Sequence, residues 1–220
     1  MKRLFCIILL IIMGFCFFHC SKKAMIRKFY VLETQSSIIE VKGDRIQPLA
    51  GNVDVRDFRI RKAFEQTRIA VRSESHELNY YYYHHWAARP SSVIPDMVST
   101  LVDRSGIFCR CARGFTNKPD FIIQGQVDIV ERIEKERIAA AHLNATLELT
   151  DEKTDSSIVR HAFDLTVDLK EDKSMNGFAR AISYLLEQES LVFIEKMSKY
   201  FRDRQATGLK TKNDENENQK

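Results

Sequence analysis

The segments LNATLEL (residues 143–149) and FDLTVDL (163–169) set the fold class. Leu143, Ala145, Leu147 and Leu149 alternate with Asn144, Thr146 and Glu148, and Phe163, Leu165, Val167 and Leu169 alternate with Asp164, Thr166 and Asp168. A period of two puts each set on its own face of a strand, so both segments read as half-buried antiparallel strands with one wet face. The polar stretch Asp151–Ser157 between them suits a hairpin loop. Upstream, Phe121 opens a strand with Ile123, Gly125, Val127 and Ile129 on one face and Gln124, Gln126 and Asp128 on the other.

The period changes to three and four in two places. After Pro90, Ser91 and Ser92, the residues Val93, Ile94, Met97, Val98, Leu101 and Val102 make a stripe wide enough for a helix to lie on a sheet. Ser91 or Ser92 is placed to cap it, Pro95 to sit in its first turn and Gly106 to end it in a left-handed conformation. Ser174 is placed to cap a longer helix whose apolar side is Phe178, Ile182, Leu185, Leu186, Phe193, Met197 and Tyr200. Shorter strands are expected over Arg27–Glu33 and Val53–Ile60 and in a hairpin Thr67–Tyr83 turning at Ser73–His76, with residues 34–52 as a loop. Strands, helix, strands, helix is an α+β order, and the expectation is an antiparallel sheet covered on one face by two helices.

The N-terminus carries a different message. Lys2 and Arg3 precede an apolar run from Leu4 to Phe18, and Cys20 follows with Ser21, Lys22 and Lys23 behind it. A run of about 15 residues fits a signal-peptide core better than a membrane span of roughly 20. A cysteine closing such a core marks a lipid attachment site, so residues 1–19 read as signal peptide, Cys20 as the acylated residue and 20–26 as a tether spanning at most roughly 20 Å. The departures are His19, where lipidation patterns place a small residue, and Phe17 and Phe18; an uncleaved anchor is the alternative. Ser21 in place of an aspartate behind the cysteine directs such a protein to the outer membrane. The folded part is expected over 27–203, followed by a polar, disordered tail at 204–220.

Composition excludes several functions. The formal net charge is +4, and two of those charges belong to Lys2 and Arg3, so there is no footprint for nucleic acid. Of the five cysteines only Cys109 and Cys111 lie in the folded part, which rules out a disulfide framework. They read as buried thiols, with a redox-sensitive pair as the alternative. His84 and His85 are neighbours and would point to opposite faces of a strand, so they do not chelate a metal together. The run YYYYHHW (80–86) is instead expected to pack Tyr80, Tyr82, His84 and Trp86 on one face and to present Tyr81 and Tyr83 as a partner-binding surface on the other. Trp86 is expected to lock the first helix to the sheet. There is no G-x-S-x-G, H-E-x-x-H or phosphate-binding glycine loop, so no catalytic residue, metal or cofactor is implied.

In order, the lipoprotein-like start, the strand Lys28-Phe29-Tyr30-Val31-Leu32, the strand Arg68-Ile69-Ala70-Val71-Arg72, the aromatic strand ending His85-Trp86-Ala87 and the helix after it resemble the ABC-type transport auxiliary lipoprotein family. That family carries an arginine before the tryptophan and an acid after the alanine, where this chain has His85 and Ala88. The resemblance, over residues 28–200, implies a non-catalytic periplasmic accessory of a lipid-moving ABC system. Its partners would be a mammalian-cell-entry (MCE) type substrate-binding subunit, the permease complex and, through self-association, further copies of itself. Two other readings stand beside it. One is a structural or assembly lipoprotein of an outer-membrane translocon. The other is a periplasmic enzyme built from His142, His161, Asp164 and Asp168.

Overall fold

The computed structural model describes residues 26–34, 49–115, 118–136 and 138–217, so the signal segment and Cys20 lie outside the described residues. The elements are β1 (Lys28–Tyr30), β2 (Leu49–Val55), β3 (Arg59–Ile60), a 3-10 turn (Lys62–Phe64), β4 (Arg68–Glu74), β5 (Glu77–Trp86), α1 (Pro90–Ser105), β6 (Phe108–Ala112), β7 (Phe121–Lys135), β8 (Ile138–Asp151), β9 (Ser156–Asp168) and α2 (Met175–Glu217).

Strand β7 organises the sheet. Along one edge it pairs antiparallel with β8 from Phe121↔Asp151 to Lys135↔Ile138, and β8 pairs antiparallel with β9, as the two alternating segments require. Its other edge is shared by three strands in parallel: β2 at Val53↔Phe121, β3 at Arg59↔Gln126 and β4 at Ala70↔Glu131. β2 also runs parallel to β6, and β1 to β5, while β4 and β5 form the expected hairpin. The α+β class holds, but the expected antiparallel sheet is a mixed one in which five of the eight described strand pairings are parallel. For four of these five the reason is the crossover through α1. β2, β3 and β4 precede that helix and β6 and β7 follow it, and a strand reached through a helix re-enters the sheet in the same direction.

Alternation is broken where the register shifts. Between Val127↔Ala145 and Ile129↔Asn144 one residue of β7 has no counterpart, so the faces exchange beyond this bulge. Val130, not Ile129, is fully buried in the core, and Glu131 moves to the face away from the helices.

The core lies between the sheet and the two helices. Leu143, Ala145, Leu147 and Leu149 share one buried cluster with Phe178, Ile182, Leu186, Phe193 and Met197 of α2 and Ile94, Val98 and Leu101 of α1, all of them almost fully buried. Trp86 is buried as expected, and its ring lies 5.6 Å from that of Phe178, so it packs against the second helix. Helix α1 begins one residue earlier than its serines. Arg89 is the N-cap without a side-chain bond, Pro90 supplies the fixed φ of the first helical position, and Gly106 ends the helix at φ 65°. Pro95 therefore falls beyond the first turn, where its missing N–H leaves the carbonyl of Ser91 without its usual helical partner. At α2 the expected cap is present: the Ser174 Oγ accepts from the Gly177 amide at 3.1 Å. Buried Arg132 donates to the carbonyls of Ser174 (3.2 Å) and Lys173 (2.7 Å), tying that helix start to β7. The helix spans Met175–Glu217.

Candidate functional site

The aromatic run lies on β5 beside the edge strand β1. β5 pairs with β4 at Ala70↔Tyr80 and again at Arg68↔His85, so five residues of β5 span what two residues of β4 span. The excess of three is accommodated between Tyr80 and His85, and the simple two-face reading of the run fails there. Tyr80 packs against the core and donates to the Ala63 carbonyl at 2.9 Å. Tyr81 packs against the core too; its hydroxyl is buried without a hydrogen bond, near Glu134 and Arg132, and burial pushes its ionisation up. Tyr82 projects outward at 65% exposure and meets half-buried Tyr83 edge-on at 4.8 Å between ring centres. The outward aromatic pair is thus Tyr82–Tyr83. His84 accepts from or donates to the Tyr30 hydroxyl at 2.8 Å, while buried His85 reaches the Tyr82 carbonyl at 3.1 Å through Nε2 and stacks at 5.7 Å against Phe29. Burial holds His84 below the usual imidazole range, so it is a neutral partner there.

A second polar construction crosses the face away from the helices. Glu131, at 1% side-chain exposure, receives both Nε (2.6 Å) and Nη2 (2.8 Å) of Arg72, and His142 Nδ1 lies 3.4 Å from the same carboxylate. His142 Nε2 reaches Asp164 at 2.7 Å. Four adjacent strands thus contribute Arg72, Glu131, His142 and Asp164 in a row. The bond to Glu131, with Asp164 adding to it, raises His142 above the ordinary imidazole range. Burial would raise Glu131, but the bonds from His142 and Arg72 outweigh it and hold the carboxyl low. Of the four residues of the enzyme reading, the fold therefore joins only His142 and Asp164. His161 lies on the opposite face, between Glu189 (2.6 Å) and Lys196 (2.9 Å) of α2, and Asp168 stands half-exposed near Lys170. Both nitrogens of His142 are engaged by carboxylates, which favours the imidazolium as a fixed bridge over a base with a lone pair to offer.

The row was not legible in the sequence, because the bulge at Asp128 decides that Glu131 faces His142. Below it an open polar cleft of about 490 Å³ lies among Arg59, Gln124, Gln126, Glu148 and Arg160. Its charges are mixed in sign. Cys111 is buried as expected, with its thiol pushed up to about 12 by desolvation, but Cys109, two residues away on β6 at the end of the strand order, is exposed. Among the described residues no group of three or more histidine, cysteine or acidic side chains is placed to hold a metal, and no helix is long and apolar enough to cross a membrane.

The sequence from 30 to 191 matches the family model of the ABC-type transport auxiliary lipoprotein component. The chain belongs to that family. Membership makes this auxiliary lipoprotein a component of the cell envelope associated with ABC-type transport. Protein XCC0632 from Xanthomonas campestris shares its fold at a TM-score of 0.66 and 16% identity, covering 81% of this chain and 99% of that one. A second solved structure, of an uncharacterized protein, gives 0.61 and 9% identity over 78% of this chain and 99% of its own. At these identities the likeness is one of fold alone. A comparison with curated proteins finds no match.

Proposed function

We propose that this auxiliary lipoprotein works by contact and without catalysis, as an accessory of an MCE-type lipid transport system. It is anchored by acylated Cys20 in the outer membrane with its domain in the periplasm. The observation that carries this reading is the family match across 30–191, to which the sequence adds the export signal ending in Cys20. The Tyr82–Tyr83 pair supports it as a contact surface, since outward aromatics on a rigid strand commonly dominate binding energy. Of the two tyrosines first expected to bind a partner, Tyr83 belongs to that pair, while Tyr81 packs against the core with its hydroxyl buried. The Arg72–Glu131–His142–Asp164 row supports the non-catalytic part, as an arrangement saturated by its own members.

The test is photocrosslinking in cells from positions 82 and 83. The expected capture is an MCE-type subunit or a second copy of the chain, weakened by Tyr82→Glu with Tyr83→Glu in a protein that still folds. If no transporter component is captured and deletion leaves outer-membrane permeability and lipid distribution unchanged, the reading fails and the assembly lipoprotein takes its place.

A further inference from the structure

The strand that follows the tether carries an apolar surface that nothing in the described chain covers. Ile26 is 78% exposed, Phe29 61% and Val31 52%, while Tyr30 and Leu32 between them are buried. Phe29 and Val31 share the outer side of this segment because an extended chain alternates, and Arg27 and Lys28 beside them are exposed as well. This is a rigid mounting. Tyr30 is held through its hydroxyl by His84 and through its carbonyl by the Ala87 amide at 2.7 Å, and the Glu33 amide donates to Ser183 Oγ on α2 at 3.1 Å. Three large apolar side chains held outward at a cost in solvation call for an occupant.

We propose that this strand is a membrane-docking face, with Ile26, Phe29 and Val31 entering the lipid surface and Arg27 and Lys28 facing anionic headgroups. The proposal rests on the anchoring at Cys20 given above. Ile26 lies six residues beyond Cys20, and a chain of that length reaches at most roughly 20 Å, so a bilayer holding the acyl group lies within reach of the patch. The chemistry also fits lipid better than protein. Aromatic and aliphatic tips interleaved with basic residues are what interfacial segments use, the first for the acyl boundary and the second for the negative surface. The full lipoprotein modification already keeps the protein on the membrane, so docking adds orientation. With β1 against the lipid, the sheet has a fixed attitude to the bilayer, and the Tyr82–Tyr83 pair on the neighbouring strand is presented at a constant height to a partner arriving from the periplasm.

The experiment uses the full mature protein, purified from membranes and reconstituted in vesicles of phosphatidylethanolamine and phosphatidylglycerol carrying brominated acyl chains, which quench tryptophan only at contact range. Phe29→Trp is the reporter and Tyr184→Trp, on the exposed side of α2, the control; Trp86 gives a constant buried background. Quenching and a blue shift are expected for Phe29→Trp and neither for Tyr184→Trp. Arg27→Glu with Lys28→Glu should reduce the quenching at least twofold, since each basic residue near an anionic surface contributes about 1 kcal/mol, or about fivefold in partition. Circular dichroism confirms that each variant is folded. Mass analysis of Cys20 separates the two claims. An acylated Phe29→Trp protein whose introduced indole stays unquenched overturns docking and leaves the anchor intact, whereas an unacylated one that is still quenched removes the anchor and keeps the docking face. A photocrosslinker at position 29 that captures a protein and no lipid also overturns the proposal.

Discussion

Glu131→Gln is the perturbation on which the polar row depends. The substitution keeps the shape and removes the charge, leaving Arg72 and His142 as cations without their shared carboxylate. Breaking a buried ion pair by removing one partner costs about 3 to 5 kcal/mol. Glu131 is 1% exposed but the Arg72 side chain is 25% exposed and can recover some hydration, so we take the lower end, about 3 kcal/mol. With a urea dependence of about 2 kcal/mol/M, the unfolding midpoint should fall by about 1.5 M, followed by Trp86 fluorescence and far-ultraviolet circular dichroism. Arg72→Met alone should cost a comparable amount, while Arg72→Met with Glu131→Leu should cost clearly less than the sum, because neither charge of that pair is left without the other and His142 keeps Asp164. A midpoint shift below about 0.5 M for Glu131→Gln, or strict additivity in the cycle, would refute the claim that the row is a structural bridge. The carboxylate would then be hydrated or exchanging partners.

Other outcomes follow from the same geometry. His142 has its folded pKa raised, so its contribution should be complete below the ordinary imidazole value of about 6.5 and fade as pH rises through the folded value; the opposing loss, from Glu131 and Asp164, sets in only at acid pH as their depressed carboxyls protonate. Thermal unfolding against pH should therefore show the gap between the native chain and His142→Gln widest at mildly acid pH, and a gap that grows toward alkaline pH contradicts the assignment. Trp86→Ala should cost about 3 to 5 kcal/mol in urea unfolding and show strong coupling to Phe178→Ala, with a cost under about 1 kcal/mol placing the ring outside the core. In Gly177→Ala the new Cβ would collide with the Asp172 carbonyl oxygen, so the cap at Ser174 must open, and proteolysis should find the start of α2 faster than in Asn176→Ala. Palmitate labelling should vanish in Cys20→Ser; unchanged labelling means the lipid is elsewhere.

The sequence by itself determined which faces of β8, β9 and the first part of β7 are buried, where both helices lie, the Ser174 cap, the left-handed Gly106 and the α+β class. Each follows from a local rule, either a hydrophobic period of 2 or 3.6 or the conformational preference of one residue. The family resemblance lay in the same local features. Strand direction and partnership were beyond it, since Val53 alternates with its neighbours identically whether β2 runs with β7 or against it. That choice belongs to the crossover through α1. The bulges were equally hidden, because one extra residue at Asp128, or three between Tyr80 and His85, changes no local propensity yet exchanges the faces of everything after it. For this reason only the tertiary structure placed Glu131 against Arg72 and His142 and exposed Tyr82 while burying the Tyr81 hydroxyl. Exposure at Ile26, Phe29 and Val31 was decided there too, since an apolar residue on a strand is read from sequence as core until the fold shows that no layer is left to cover it.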